Sequence, residues 1–487
     1  MPTLAESHTL SRFVTAAITV VLVACGGSSP AEPNATAVRL AFAVAPSNST
    51  AQDAINPSVE VMAQSALGNT VTSFTGNVTV AIGSNPASGS LSGSVTVAAV
   101  GGVASFSTLS INNVGSGYTL TASASGLASA TSAPFNVSAF TAVSAGVGHT
   151  CGIIAGGAAY CWGVMGDVFN NPSTITITAP MAVPGGHAFA MVSSGMLHTC
   201  GVTTGGVAYC WGDNAYGQLG DNTTTSSTTP VAVAGGRVFA TVSAAGSHSC
   251  GVTTVGEAYC WGTNVYGELG NDTGTGSTVP VLVTGGHTFA TVSAGTRYNC
   301  GVTTAGAAYC WGANSNGEFG NGTRTNSTTP MEVSGGLTFT VVSAGADHTC
   351  GATTSGVAYC WGYNYFGELG NGSTTTGLTP SAVSGGYAFA AASTGFGNAT
   401  CGRTTGGAAY CWGYNGDGEL GSGTTTNSTT PLLVLGGHTF ATVSAGGFHA
   451  CGVTTGGAAY CWGHNRFGEL GNRSTSSSAT PVRVSNP

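Results

Sequence analysis

The chain contains no lysine. Its 487 residues carry nine basic side chains, all arginine, against seventeen acidic ones, and charged residues make up only 5%. Binding to a phosphate backbone needs clustered cations that displace condensed counterions. Nine scattered Arg and a net charge of −8 exclude nucleic acid as an expected partner. Catalytic signatures are missing too. There is no His-Glu-x-x-His, no Gly/Lys loop to cradle a phosphate and no nucleophile elbow. With 79 Gly present, a lone glycine pattern carries no information. The expectation is a protein that is not an enzyme and holds no cofactor. Long apolar runs are also scarce. Phe13 to Ala24 is too short to span a bilayer, which takes about 20 residues. A composition this rich in Gly can signal disorder, but hydrophobic residues reach 42%. Short alternating runs of Thr, Val and Tyr, broken by Gly, point to an all-β protein with many turns.

The N-terminus reads as an address rather than as fold. Arg12 precedes the apolar run, which ends Leu22-Val23-Ala24-Cys25-Gly26-Gly27. Small residues before a cysteine that opens a Gly/Ser/Pro stretch resemble the bacterial lipobox. The resemblance implies a signal peptide over 1–24, cleavage before Cys25 and a diacylglycerol on its sulfur. Gly26 rather than Asp follows the cysteine, which by analogy permits sorting to an outer membrane. The alternative is an ordinary secretory signal with a chance cysteine. Residues 25–37 then form a polar linker that holds a domain off the membrane. The expected location is the cell envelope, lipid-anchored at the outer membrane, or extracellular.

Fifteen cysteines leave Cys25 as the odd one. The other fourteen fall into seven pairs, each with nine residues between its members. Cys151 goes with Cys161, Cys200 with Cys210, Cys250 with Cys260 and Cys300 with Cys310. Cys350 goes with Cys360, Cys401 with Cys411 and Cys451 with Cys461. In the last copy, a hairpin with Cys451 opposite Cys461 sets Val453 against Ala459 and Thr454 against Ala458. Thr455-Gly456-Gly457 is then a three-residue loop, in which Gly supplies the left-handed residue. Both sulfurs fall on one face at a spacing that a disulfide accepts. The rival is zinc, because His149, His198, His248, His348 and His449 each lie two residues before a cysteine. Against it, paired zinc ligands usually come two to four residues apart, and no fourth ligand recurs.

Residues 38–138 have an alternating texture without cysteine, as in Val38-Arg39-Leu40-Ala41-Phe42 and Asn77-Val78-Thr79-Val80-Ala81-Ile82. About seven short strands in that length fit an immunoglobulin-like sandwich. Val103 to Gly126 resembles the bacterial immunoglobulin-like modules of cell-surface proteins, here read as a spacer. From 139 to 487 the chain repeats. The core of the repeat is Phe-Ala-Thr-Val-Ser-Ala-Gly-x-x-His-Thr-Cys-Gly-Val-Thr-Thr-Gly-Gly-Ala-Ala-Tyr-Cys-Trp-Gly-x-Asn-x-x-Gly-Glu-Leu-Gly. A Thr/Ser-rich loop and Thr-Pro-Val-x-Val-x-Gly-Gly follow. All seven Trp sit in the Cys-Trp-Gly step, which gives seven copies. Four short strands per copy suggest a seven-bladed β-propeller, since radial repetition leaves few exposed edges. The first copy opens at Phe140 and the last stops at Val484, so one blade is expected to be completed by strands from both termini.

Gly-x-x-His-Thr followed by Tyr-x-Trp-Gly-x-Asn-x-x-Gly-Glu-Leu-Gly resembles the regulator of chromosome condensation repeat, a family of seven-bladed propellers. The first copy departs from it after Trp162, at Val164-Met165-Gly166-Asp167. The fourth has Tyr298 in place of His, and the sixth carries an extra residue before its cysteine. The paired cysteines are a further departure.

The recurrent Glu268, Glu318, Glu368, Glu419 and Glu469, with Gln218 in the second copy, read as turn and inter-blade hydrogen-bonding residues. The His read as structural, and the Thr/Ser loops as solvated spacers. Function on a repeat scaffold sits where copies differ. After Trp-Gly the varying positions hold Tyr216, Tyr266, Tyr363, Tyr365, Phe366, Tyr414, Arg466 and Phe467. Aromatics and Arg are typical anchors of binding interfaces. The expectation is a monomeric surface or secreted binding module whose propeller face takes a protein or glycan. The resemblance also implies two alternatives, an exchange factor for a small GTPase and an inhibitor of a cell-wall-active enzyme; a purely structural envelope protein is a further one. Alkylation and intact mass on protein from its own cells should find no free thiol and an acylated Cys25. Fifteen free thiols on an unprocessed chain, Cys25 among them, would place it in the cytosol and overturn export.

Overall fold

A computed structural model describes residues 35–164 and 176–486. The signal-like segment, Cys25 with its expected lipid, most of the linker and the divergent Met165-Gly166-Asp167 stretch lie outside the described residues. Those described form strands and no helix.

The N-terminal unit runs from strand Arg39–Val44 to strand Phe135–Ser138. Its alternation is visible in Val59–Gln64, where Val59, Val61 and Ala63 are buried and the residues between them are half-exposed. That strand pairs antiparallel with Arg39–Val44 and Val103–Phe106. A second sheet centres on Asn77–Ile82 and Leu120–Ser123. These two sheets and a third, formed by Ser49–Thr50, Phe135–Ser138 and Gly115–Tyr118, cover one core that includes Val61, Val78, Phe106, Tyr118, Leu120 and Phe135. Only Ala139 separates this unit from the first strand of the repeat, Phe140–Ala145.

The repeats form seven four-stranded antiparallel sheets, each built from four consecutive strands. In the fifth these are Phe339–Ala344, His348–Thr353, Ala358–Gly362 and Gly377–Ala382. The blades are numbered here from one to seven in chain order. The expected blade shared between the two termini does not occur, because Phe140–Ala145 pairs within blade 1 and Ser478–Arg483 completes blade 7. The ring closes through side chains and turns instead. Each innermost strand carries a Ser whose Oγ accepts a backbone N–H from the next blade. Ser144 takes it from Ser194 at 2.9 Å, and the last, Ser444, takes it from Ala145 of blade 1 at 3.0 Å. The same bond recurs from Ser193, Ser243, Ser293, Ser343 and Ser393, so every interface has one.

The hairpin forms in the expected register, with Cys451 opposite Cys461 and Val453 opposite Ala459. Gly457 takes φ +81°, the left-handed position of the loop. Every expected disulfide forms. Cys151 is bonded to Cys161, Cys200 to Cys210, Cys250 to Cys260 and Cys300 to Cys310. Cys350 is bonded to Cys360, Cys401 to Cys411 and Cys451 to Cys461. In all seven the Cα atoms are 4.0–4.1 Å apart. Each would contribute about 3 kcal/mol by restricting the unfolded chain.

Between blades the main apolar contact is Trp. Trp361 inserts into the core of blade 4 beside Cys300, Phe319 and Val333. Trp162 does the same with Leu470 and Val484 of blade 7, which seals the ring. Burying a ring of that area is worth roughly 4 kcal/mol as an upper bound. Gly320 makes room for it, since a Cβ there would lie 2.8 Å from the Trp361 ring. Polar groups then fix the interface. Trp361 Nε1 donates to the Glu318 carbonyl at 2.7 Å, and Thr349 Oγ1 donates to the same oxygen at 2.9 Å. The Thr349 position is also where each His points. His348 Nε2 meets Thr400 Oγ1 at 2.8 Å, and Thr400 donates to the Glu368 carbonyl at 3.1 Å. Because Thr400 spends its only proton on that carbonyl, His348 must donate from Nε2.

The sixth interface lacks both partners: Ala399 replaces His in blade 6 and Ala450 replaces the hydroxyl in blade 7, both buried. Losing one partner alone would leave an unsatisfied polar group, whereas losing both is nearly neutral. Thr400→Val keeps shape but strands the His348 N–H. It should lower the unfolding free energy by about 1–3 kcal/mol, and Thr400→Ser should not; urea unfolding of the two variants checks this.

Candidate binding face

Alternating strand direction sends two sets of loops to each side of the ring. Connections from first to second strand, and from third to fourth, open on one face. Hairpin loops and blade-to-blade turns open on the other. The N-terminal unit docks on that second side: Thr50 Oγ1 meets Asn486 Oδ1 at 2.6 Å, Arg483 pairs with Asp53, and Gln52 lies beside hairpin residue Gly456. On this side the varying residue after Gly-Gly covers a strand Tyr. His187 lies 4.1 Å from Tyr209, His287 4.0 Å from Tyr309, Tyr387 4.2 Å from Tyr410, and the Arg237 guanidinium 4.1 Å over Tyr259. Variation there is used up in stacking.

The opposite face is built on a rigid frame. Asn364, wholly buried, donates from Nδ2 to the Ser373 and Thr375 carbonyls at 3.0 and 2.9 Å, and its Oδ1 accepts Leu369 N–H at 2.9 Å. Asn214, Asn264, Asn314, Asn415 and Asn465 repeat the clamp. The Thr/Ser loops are solvated, as expected, but they are not loose. Their side chains meet water, but their backbone is tied to a buried amide. Glu368 Oε2 accepts Phe366 N–H at 2.9 Å within the turn, and the equivalent Glu do likewise. The turn role read from sequence is thus carried by the carboxylate, and the inter-blade role by the same residue's backbone carbonyl.

All eight predicted residues lie in the equivalent loop of their blades and so share this face. Tyr365 is 68% exposed, Tyr216 59% and Tyr266 38%. Arg466 is exposed, and Tyr363, Phe366, Tyr414 and Phe467 are half-buried. The structure brings some of them together. Phe366 sits 5.0 Å from Tyr365 and 5.2 Å from Tyr414, bridging blades 5 and 6. In blade 7, His464 lies 5.8 Å from Phe467 and 6.2 Å from Phe448. Tyr216 and Tyr266 stand apart from this arc. Phe448, 44% exposed, was missed by sequence reasoning, as were Arg297 and Asp347. All three occupy the two varying positions of Ala-Gly-x-x-His, which carried the same signal of variation between copies.

The first varying position after Trp-Gly also decides what meets the buried carboxyl. In blade 2, Gln218 Nε2 donates to Asp213 at 2.6 Å, and in blade 7 His464 Nδ1 meets Glu469 at 2.8 Å. In blades 5 and 6 the position is Tyr363 and Tyr414, and Oε1 of Glu368 and Glu419 has no partner. Burial pushes both carboxyls up to about 7. Contact with Glu469 raises the His464 pKa.

His149, His198, His248, His348 and His449 are buried, with Nε2 on a side chain of the next blade. Burial pulls His198 and His348 down to about 3 and His149, His248 and His449 to about 4. The zinc alternative fails on this geometry: both sulfurs are bonded to each other and the imidazole to a neighbouring side chain. Among the described residues no group of three His, Cys, Asp or Glu could hold a metal ion.

The chain is similar to models of the regulator of chromosome condensation repeat. One matches residues 205–252, 255–302, 305–352, 406–453 and 456–487. A second model of the same repeat matches 191–218, 239–268, 289–318, 339–368 and 440–469, and together they cover more than half of the chain. No curated protein matches the sequence. Among solved structures, human WBSCR16 is similar at TM-score 0.59 and 19% identity, over 66% of this chain and 89% of that one. Prp20p from Saccharomyces cerevisiae is similar at TM-score 0.58 and 18% identity, over 72% and 88%. At these identities the likeness establishes the fold alone.

The two sets of buried groups drive stability with pH in opposite directions. The His bind protons in the unfolded chain below about 6.5 but in the fold only near 3–4. Their contribution therefore falls as pH drops through that window. Glu368 and Glu419 bind protons in the fold below about 7, well above the unfolded value of 4.5. Their contribution is full below 4.5 and is lost as pH rises through 7. Glu368→Gln removes one such group. Relative to the parent it should gain on the order of 2–3 kcal/mol between pH 5 and pH 8; urea midpoints at the two pH values read the difference directly.

Proposed function

The chain belongs to the regulator of chromosome condensation repeat family, and from that premise we propose that it is a non-enzymatic binding module displayed outside the cell. The lipid on Cys25 anchors it, and the N-terminal unit, read as an immunoglobulin-like spacer, stands between anchor and propeller. The propeller face opposite that unit takes a protein or glycan partner.

One observation carries this reading. Side chains that differ between copies, including the exposed Tyr216, Tyr365 and Phe448, sit on an otherwise repeated frame, on the side away from the N-terminal unit. A rigid frame limits the entropy lost when aromatic anchors meet a partner. A protein partner is favoured by a propeller of similar fold: yeast RCC1, Prp20, has been crystallised bound to Kap60, and it binds Gsp1p and histones. Guanine-nucleotide exchange is disfavoured by compartment, since seven disulfides belong to an oxidising environment remote from cytosolic GTPases.

The test immobilises the full chain and measures capture from envelope and extracellular fractions, with purified cell-wall polysaccharide as a parallel ligand. Tyr365→Ala combined with Phe467→Ala should reduce capture at least tenfold with unchanged thermal unfolding. Ser355→Ala, in a hairpin loop on the other side, should leave it intact. Equal capture by all three proteins would remove the aromatic arc as the binding face.

A further inference from the structure

Between blades 3, 4 and 5 the same face opens into a hollow of about 280 Å³, near the lower end of ligand-pocket sizes. Its walls include Tyr266, Arg297, Ala313, Ser315, Glu318 and Asp347. The hollow exists because the fourth copy is small where its neighbours are large. Ala313 and Ser315 stand where the fifth copy has Tyr363 and Tyr365, and the third has Thr263 and Val265.

The charged groups around it differ in how far they are satisfied. Glu318 is buried and engaged: Oε2 accepts Asn316 N–H at 2.8 Å and Oε1 accepts Asn316 Nδ2 at 3.1 Å. Arg297 and Asp347 are not. The two ion pairs among the described residues are His464–Glu469 and Arg483–Asp53, so Arg297 and Asp347 line one hollow without joining in a salt bridge. Each is held from elsewhere. The Arg297 guanidinium lies over the Tyr266 ring, 5.6 Å from its centre, and the Asp347 backbone carbonyl accepts Tyr363 N–H at 2.9 Å.

We propose that this hollow binds an amino-acid-sized zwitterion, its carboxylate on the Arg297 guanidinium, its ammonium on the Asp347 carboxylate and its body against Tyr266. Charge complementarity selects this class. A simple anion would face Asp347 and Glu318, and a simple cation would face Arg297. A neutral sugar would desolvate both Arg297 and Asp347 without pairing either. A ligand carrying both charges makes a charge-assisted hydrogen bond at each end, with guanidinium and carboxylate matched in a fork. This site goes beyond macromolecular capture by the aromatic arc, and the two can fail separately.

Calorimetric titration of the full chain with alanine, glutamate, lysine and phenylalanine, in both L and D forms, tests the site. At least one free amino acid should bind saturably. Its N-acetyl derivative, which lacks the ammonium, and its amide, which lacks the carboxylate, should each bind at least tenfold more weakly. Arg297→Ala should abolish the preference for acid over amide, and Asp347→Asn the preference for free over acetylated amine. Ala313→Tyr fills the hollow with the side chain that blades 5 and 6 already carry at this position, so the blade should keep its thermal stability while binding is lost. Tyr365→Ala with Phe467→Ala, which bears on capture, should leave the titration unchanged. Absence of saturable binding by any of the eight compounds up to about 10 mM, or binding that survives Ala313→Tyr, overturns the proposal.

Discussion

In five of the six Gly-Glu/Gln-Leu/Phe-Gly turns the backbone carbonyl of the Glu or Gln accepts two donors from the following blade, and in the sixth Glu419 accepts the Trp462 indole alone. Of the two donors, one is the indole N–H of the Cys-Trp-Gly tryptophan, and the other is the side chain just before the first cysteine. At the interface of blades 2 and 3 these are Trp261 at 2.8 Å and Ser249 at 3.0 Å, both on Gln218. Where blade 7 meets blade 1 they are Trp162 at 2.7 Å and Thr150 at 3.0 Å, both on Glu469. The rest of the ring follows from this contact. It orients the Trp that fills the space between blades, and it sets the proton on the His behind the hydroxyl. It also holds the turn from which the face loops project. Deep burial makes such a network demanding, because any member left alone is costly. The paired loss at Ala399 and Ala450 shows that demand acting within one molecule.

Scarce charge suits this construction. Two ion pairs occur among the described residues, and one of them joins the propeller to the N-terminal unit. Cohesion within the ring rests on neutral hydrogen bonds, Trp burial and disulfides, none of which salt screens strongly. Burial itself holds seven of the buried ionisable groups toward their neutral forms. Five imidazoles are held far below their usual range, and the Glu368 and Glu419 carboxyls are held up near 7.

Division of labour between the two faces follows from the same frame. On the side of the N-terminal unit, varying residues lie flat on strand tyrosines and are consumed in packing. On the other side the buried Asn and Glu of each turn satisfy the loop backbone from below. The positions between them, such as Ala215, Val265, Tyr365 and Arg466, project outward with no structural duty. Copies can differ there without disturbing a blade, which is how one repeat yields both an aromatic arc over blades 5 to 7 and a hollow beside blade 4.

The all-β class, the seven repeats, the hairpin register and the cysteine pairing were all legible in the chain before folding. Each depends on local periodicity or on spacing within about ten residues, where chain geometry leaves few choices. The loop that carries variable aromatics was legible for the same reason. How the ring closes was not. Seven contiguous blades and one shared across the termini have the same repeat pattern, and the choice rests on hydrogen bonds between residues some 300 apart, such as Ala145 with Ser444. The same holds for the buried Asn beneath the Thr/Ser loops and for the His that reach into the next blade. Phe448, Arg297 and Asp347 join the face because a separate loop, distant in sequence, opens on the same side. Burial and neighbour identity across blades are properties of the closed ring, and no local pattern encodes them.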